Sequence, residues 1–289
     1  MINIYPKILI IPDVHGRTFW KSAIDQFPYD LYPDLVIIFL GDYLDPYTGY
    51  EDITPKDAYE NFLEILDYAK KDNRIELLIG NHDWHYFVNL DTCRLDRARS
   101  RDIEKLFINN LQKFRLSKIH EVNGINFLFS HAGYTNGFLH DISDLALSEI
   151  QRWNPGNIDP SKDEKYQWIL KVSQIRQTLD FEIFEKCLQN YDNPFYSCIP
   201  SMVSRYRGGW NNSGSMIWAD IHEHMEHIYH IKEFDEKYYQ IFAHTISFPN
   251  DSQYDYYIGQ FYAMLDASQA FIINNEGTIK LLNDKNYEK

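Results

Sequence analysis

IFLGDYLD, residues 38–45, reads as the end of a buried strand followed at once by a glycine and two carboxylates. The apolar run 35–40 has the makings of a parallel strand enclosed on both faces, which places Asp42 and Asp45 at its carboxyl edge, where open α/β sheets bind ligands. A carboxylate just past such a strand is held rigidly, and its two oxygens can each reach a different cation. Four other apolar runs end in the same way. Residues 8–12 lead into DVHG, with Asp13 and His15; 75–79 into GNHDW, with Asn81, His82 and Asp83. Residues 125–129 lead into SHAG, with His131, and 239–243 lead into His244.

Composition bounds the rest. A chain of 289 residues, 44% apolar, can bury a sizeable core. Its early apolar run, 8–11, is too short to span a membrane and runs straight into Asp13, so a soluble protein with no export signal is expected. Cys93, Cys187 and Cys198 are odd in number and lack CxxC spacing, which suits reduced thiols and a cytoplasmic location. The formal charge of −14 argues against tracking a nucleic-acid backbone, which needs a basic face. An anionic substrate is still acceptable if cations stand locally in its cleft.

The order of elements is that of an α/β fold: layered mixed β-sheets flanked by helices, in one domain over 1–289 with a helical cap inserted at about 144–192. Residues 17–27 read as a first crossover helix. Thr54, Pro55 and Asp57 open a second with a capping-box pattern. Residues 85–116 read as helical and charged. Asn123 and Gly124 mark a type I′ hairpin turn between runs 119–122 and 125–129. Runs 241–243, 262–265, 271–273 and 278–282 restore strand character, the last two joined by Asn275, Glu276 and Gly277.

One DxH pair is weak evidence for a metal, and Asp220 and His222 form a decoy. The ordered set DVHG, GDYLD, GNHDW, SHAG and a late His is specific. In that set the chain resembles the calcineurin-like metallophosphoesterase superfamily, over most of its length, which implies that family's βαβ sandwich. Carried over residue by residue, the resemblance implies one cation held by Asp13, His15 and Asp42. It implies a second held by Asp42, Asn81, His131 and His244, with His82 as unligated catalytic histidine and Asp45 bonded to its ring.

The donor chemistry agrees with that division. Oxygen and imidazole ligands suit manganese, iron or zinc, manganese being favoured, and no Cys lies in the motifs. Two dications can stabilise the attacking and leaving oxygens of a phosphoryl displacement and bring a bridging water's pKa near neutrality. Against Asp13 and Asp42 they leave a surplus of about +2, which can hold a phosphate dianion. His82, oriented by Asp45, is then the general acid for the departing alkoxide.

Two departures stand out. Many relatives end in GHxH, and here Ile246 takes the place of the second His, as in the phosphoprotein (serine/threonine) phosphatase branch, which lacks it. That branch carries an arginine after GDxxD to clamp phosphate, where this chain has Pro46 and Tyr47. Arg205 and Arg207, in SRYRGGWNNSG, are expected to supply that guanidinium. Arg94, Arg97, Arg99 and Arg101 read as a solvated helix face, and His222, His224, His227 and His230 as structural or solvent-facing. The resulting expectation is a metal-dependent phosphatase for a phosphoprotein or small phosphate ester. A phosphodiesterase or dinucleoside polyphosphate hydrolase is the alternative, and a non-catalytic scaffold the third reading.

Overall fold

The computed structural model describes residues 5–47, 52–92, 94–153, 159–226, 232–245, 256–266 and 268–282; Cys93, His227, His230 and Ile246 lie outside them. In chain order the strands are β1 (Pro6–Ile11), β2 (Val36–Phe39), β3 (Ile75–Leu78), β4 (Phe114–Arg115), β5 (Ser117–Val122), β6 (Ile125–Ser130), β7 (Tyr239–Phe242), β8 (Tyr257–Ile258), β9 (Tyr262–Met264), β10 (Phe271–Asn274) and β11 (Ile279–Leu281). They form a six-stranded sheet ordered β11-β10-β1-β2-β3-β4 and a five-stranded sheet ordered β5-β6-β7-β9-β8. The stretch from β1 to β4 is parallel, and so is β6-β7-β9.

Side chains that alternate along a strand explain the layering. Ile8, Ile10, Ile38 and Leu40 point into a core shared with Phe127, Phe129, Ile241, Ala263 and Leu265 of the other sheet. Their neighbours Leu9, Ile11, Ile37 and Phe39 point the opposite way, into a core shared with helices. Burying each such side chain contributes roughly 1.5–3 kcal/mol, so two sheets sandwiched between helical layers satisfy both faces of every central strand.

Helices α1 (Phe19–Asp25) and α2 (Pro55–Lys71) cover the six-stranded sheet with Trp20, Phe62, Ile65 and Leu66. The capping box read from the sequence is present: Thr54 Oγ1 accepts from Asp57 N at 3.2 Å and Asp57 Oδ2 accepts from Thr54 N at 2.9 Å. In the hairpin, Asn123 and Gly124 have φ of 53° and 77°, as a type I′ turn requires. Among the described residues of the 144–192 span are the end of α5 (Asn136–Arg152), α6 (Glu164–Ser173) and short helical turns as far as Gln189; α3 (Asn81–Val88) and α4 (Ser100–Asn109) precede them in the chain. That span packs Tyr134 on Phe181 at 4.4 Å and Tyr191 on Phe87 at 5.3 Å.

The stretch 85–116 is not one helical run. Asn89 adopts φ 52° and ends α3, a loop follows to Arg99, and α4 is succeeded by the short strand β4. A left-handed residue stops an α-helix because the chain beyond it turns off the helical path; the Asn89 N–H itself still donates to the His85 carbonyl. That break takes Arg94 off any helix face.

Candidate metal centre

The ends of β1, β2, β3, β6 and β7 bring Asp13, His15, Asp42, Asn81, His131 and His244 together, every one buried. Two groups of ligand atoms result: Asp13, His15 and Asp42 in one, Asp42, His131 and His244 in the other. Asp42 stands between them with a single oxygen. Its Oδ2 lies 3.4 Å from His15 Nε2 and 3.5 Å from His131 Nε2, whereas Oδ1 accepts from the His82 backbone N–H at 2.9 Å. Oδ2 is thus the oxygen that faces both groups, while the start of α3 occupies Oδ1.

The backbone bends sharply to deliver these groups. His15, Asp42, Asp45 and His244 have φ of 44°, 51°, 57° and 70°. Such conformations cost a non-glycine residue roughly 1–3 kcal/mol and persist where the surroundings impose them. Asp83 imposes one of them: its carboxylate accepts from Gly80 N, Asp42 N and Tyr43 N at 2.9, 2.7 and 3.0 Å, tying the second motif to the third. Gly80 has to be glycine, since a Cβ there would collide with Asp42 Oδ1.

The imidazoles are set up as neutral ligands. His15 Nδ1–H donates to the Leu44 carbonyl at 2.8 Å and His131 Nδ1–H to the Leu40 carbonyl at 2.9 Å, which leaves each Nε2 lone pair facing the pocket. Burial lowers the His15 pKa to about 3 and also lowers those of His131 and His244. Burial, then Asp266, then Asp42 push the Asp13 carboxyl well above its usual range. Asp42 is held below its usual range: burial pushes it up, and the surrounding histidines, His131 first, outweigh that.

These residues fit divalent cations. Asp13 Oδ1, His15 Nε2 and His244 Nε2 are buried with no hydrogen-bond partner. His131 Nε2 lies 3.0 Å from Asn81 Oδ1, an acceptor against an acceptor. Buried acceptors without donors are costly, by about 1–3 kcal/mol each, and a cation removes that cost.

His82 stands beside this pocket, its Nδ1 3.0 Å from Asp45 Oδ2 and its ring 5.2 Å from that of His15. Two partners escaped the sequence reading. Tyr86, one turn on from His82 along α3, donates to Asp45 Oδ1 at 2.6 Å and accepts from Asp96 N at 3.0 Å. Arg94, expected on a solvated helix face, lies instead with Nη2 2.6 Å from His82 Nε2 and Nη1 3.1 Å from the Asp45 carbonyl. Its guanidinium packs on the Tyr47 ring at 4.0 Å, and Tyr47 meets His15 edge-on at 4.8 Å. The only advance signal was the absence of an arginine after Asp45.

Asp45, His82 and His85 form a third ligand-like group, but both His82 nitrogens are already engaged, by Asp45 and by a guanidinium. The remaining arginines divide. Arg97 pairs with Asp91 and Arg99 with Asp96; Arg205 is exposed. Arg207 Nε forms an ion pair with Asp220 Oδ2 at 2.7 Å, and Nη2 reaches the His244 carbonyl at 3.5 Å. His222 pairs with Asp220, and His224 contacts the Ala132 carbonyl at 2.9 Å and stacks on Phe242.

No helix among the described residues is long and apolar enough to cross a membrane. No curated protein sequence matches the chain. Two solved structures of a cold-active protein tyrosine phosphatase, one of them a mutant, are similar to it at 14% identity and a TM-score of 0.39, covering 96% of this chain and 79% and 81% of theirs. Residues 6–259 match the family described as calcineurin-like phosphoesterase, a span that includes every strand end from Asp13 to His244. The chain therefore belongs to the calcineurin-like phosphoesterases, a metal-dependent family of phosphoric ester hydrolases.

Proposed function

We propose that the protein hydrolyses phosphomonoesters at a dinuclear centre, the first cation held by Asp13, His15 and Asp42 and the second by Asp42, Asn81, His131 and His244. When bound, the cations polarise the phosphoryl oxygens and activate the attacking water; manganese suits this oxygen and imidazole donor set. Once Arg94 turns from His82 Nε2 to the phosphoryl oxygens, His82 in its imidazolium form, its ring oriented by Asp45 and Asp45 in turn by Tyr86, donates its Nε2 proton to the leaving oxygen. Arg94 binds the phosphoryl oxygens beside it, taking the part of the arginine missing after Asp45.

The observation that carries the monoester reading is the placement of Arg94. A fixed guanidinium against His82 adds a third positive element to the pocket, in addition to the cations. That charge favours a dianionic monoester over a monoanionic diester. A phosphoprotein or a small ester meets this requirement equally.

Hydrolysis of p-nitrophenyl phosphate against bis-p-nitrophenyl phosphate by the manganese-loaded protein is the test. A kcat/KM ratio of about a hundred in favour of the monoester is expected; a preference for the diester overturns the reading. The variant His82→Asn keeps two cations per chain and loses turnover by about 10²–10⁴-fold, the usual contribution of a general acid. Normal turnover in that variant removes His82 from the mechanism.

A further inference from the structure

Rings in contact form an arc beside the ligand groups: Tyr47, His15, His82, His85, Trp218 and His244, with successive centroids 4.8, 5.2, 5.6, 5.4 and 6.0 Å apart. The four imidazoles are buried, whereas Tyr47 and Trp218 are half-buried and keep surface that a ligand can reach. The Tyr47 ring is already covered by cations, the Arg94 guanidinium at 4.0 Å and that of Arg17 at 5.6 Å. Trp218 is met by imidazoles, His85 tilted by 39° and His244 edge-on at 83°. We infer that Trp218, with His85 behind it, is the wall against which the leaving group lies, and that this wall selects monoesters of aromatic alcohols over those of aliphatic ones. The inference rests on the monoester reading above, with His82 as proton donor, and adds to it the class of alcohol released.

His82 gives the direction. A leaving oxygen has to come within hydrogen-bond reach of the His82 ring to be protonated, so the group attached to that oxygen lies beside the ring. One flank of His82 is taken by His15, at 5.2 Å, and by Arg94, whose Nη2 is 2.6 Å from His82 Nε2. Those residues belong to the part of the pocket that holds the phosphoryl group. The other flank is His85, three positions on along α3 and therefore on the same helix face, and beyond it Trp218.

The backbone on either side of Trp218 is fixed before a ligand arrives. The Met216 carbonyl accepts from the N–H of Ala132, next to His131, at 2.8 Å, and Trp218 N–H donates to the Ser215 carbonyl at 2.8 Å. The buried Glu223 carboxylate accepts from Gly214 N and Asp220 N at 2.7 and 3.0 Å, closing the turn that carries the indole. A ring held in this way loses little freedom when a ligand stacks on it. A flat aryl group matches an indole face and a puckered or linear alkyl group does not, a difference of about two- to tenfold in affinity.

The test uses phosphonates, which cannot be cleaved, so that leaving-group reactivity plays no part. Benzylphosphonate and cyclohexylmethylphosphonate carry the same number of carbons and differ in whether the ring is flat. Calorimetric titration of the manganese-loaded chain should find benzylphosphonate bound about fivefold more tightly. In Trp218→Leu, which keeps an apolar group beside His244, and in Trp218→Ala, the preference should fall below about twofold, with folding checked by circular dichroism and manganese per chain by elemental analysis. A preference below about twofold in the unaltered chain overturns the inference, as does a larger one retained in either variant that folds and keeps its metal. Failure of both variants to fold or to hold manganese overturns it too, marking Trp218 as a support for His244. An unaltered chain that binds neither phosphonate nor inorganic phosphate overturns the monoester reading itself, whereas equal binding of the two phosphonates overturns only the choice of alcohol.

Discussion

Two arginine-bearing loops border the pocket and use their charge in opposite ways. The loop between α3 and α4 lays Arg94 across the Tyr47 ring and against His82. The loop around 203–212 pairs Arg207 with Asp220 and leaves Arg205 and Trp210 exposed, Trp210 at 94%. A guanidinium whose carboxylate partner is already in place has little attraction left for a substrate anion. Arg94, held by a carbonyl, an imidazole and a ring, has no carboxylate partner among the described residues, so it is the arginine equipped to bind phosphate.

The largest effect that would test this contrast belongs to Arg94→Ala. Charge-assisted hydrogen bonds contribute about 1.5–3 kcal/mol, which predicts a loss of about 10- to 100-fold in kcat/KM for a monoester. Metal content should be unchanged, and inhibition by inorganic phosphate should weaken in proportion. A loss smaller than about threefold would erase the distinction between the loops.

Arg207→Ala should act on stability more than on chemistry. Its ion pair with Asp220 is partly buried, with side chains 26% and 10% exposed, and its Nη2 reaches the His244 carbonyl. Thermal unfolding of the metal-free protein should register a loss of about 1–2 kcal/mol, with turnover reduced only a few-fold. If Arg207→Ala weakens phosphate inhibition as strongly as Arg94→Ala does, both loops bind substrate.

The same contrast explains what could be read in the sequence. Strand ends are legible because a buried strand has a fixed direction and a short reach: the apolar runs before Asp13, Asp42, Asn81, His131 and His244 each declared where the next side chain would stand. Arg94 was not legible, since its place depends on Asn89 turning left-handed and ending α3, and asparagine tolerates both helix and turn. Tyr86 was hidden for another reason. Its helical spacing from His82 is visible, but an aromatic residue on a helix most often fills the core, and only the geometry reveals its hydroxyl on Asp45.

The smallest effect is expected at Arg205. It stands on the same helical turn as Arg207, Arg205–Arg207, next to Tyr206, which stacks on His222 at 5.7 Å. Its own side chain is exposed, where a charge is screened by water over about 10 Å at ordinary salt. Arg205→Ala should leave melting within about 0.5 kcal/mol and kcat/KM for a small monoester within about twofold. The comparison becomes sharper with a phosphopeptide. A small ester ends at the metal pocket, whereas a peptide continues past it, and a loop presenting Arg205 and Trp210 to solvent can meet only the longer substrate. If Arg205→Ala alters phosphopeptide kinetics and leaves p-nitrophenyl phosphate untouched, the exposed loop reads the substrate's protein portion and the buried one its phosphate; equal indifference to both makes Arg205 an ordinary surface charge.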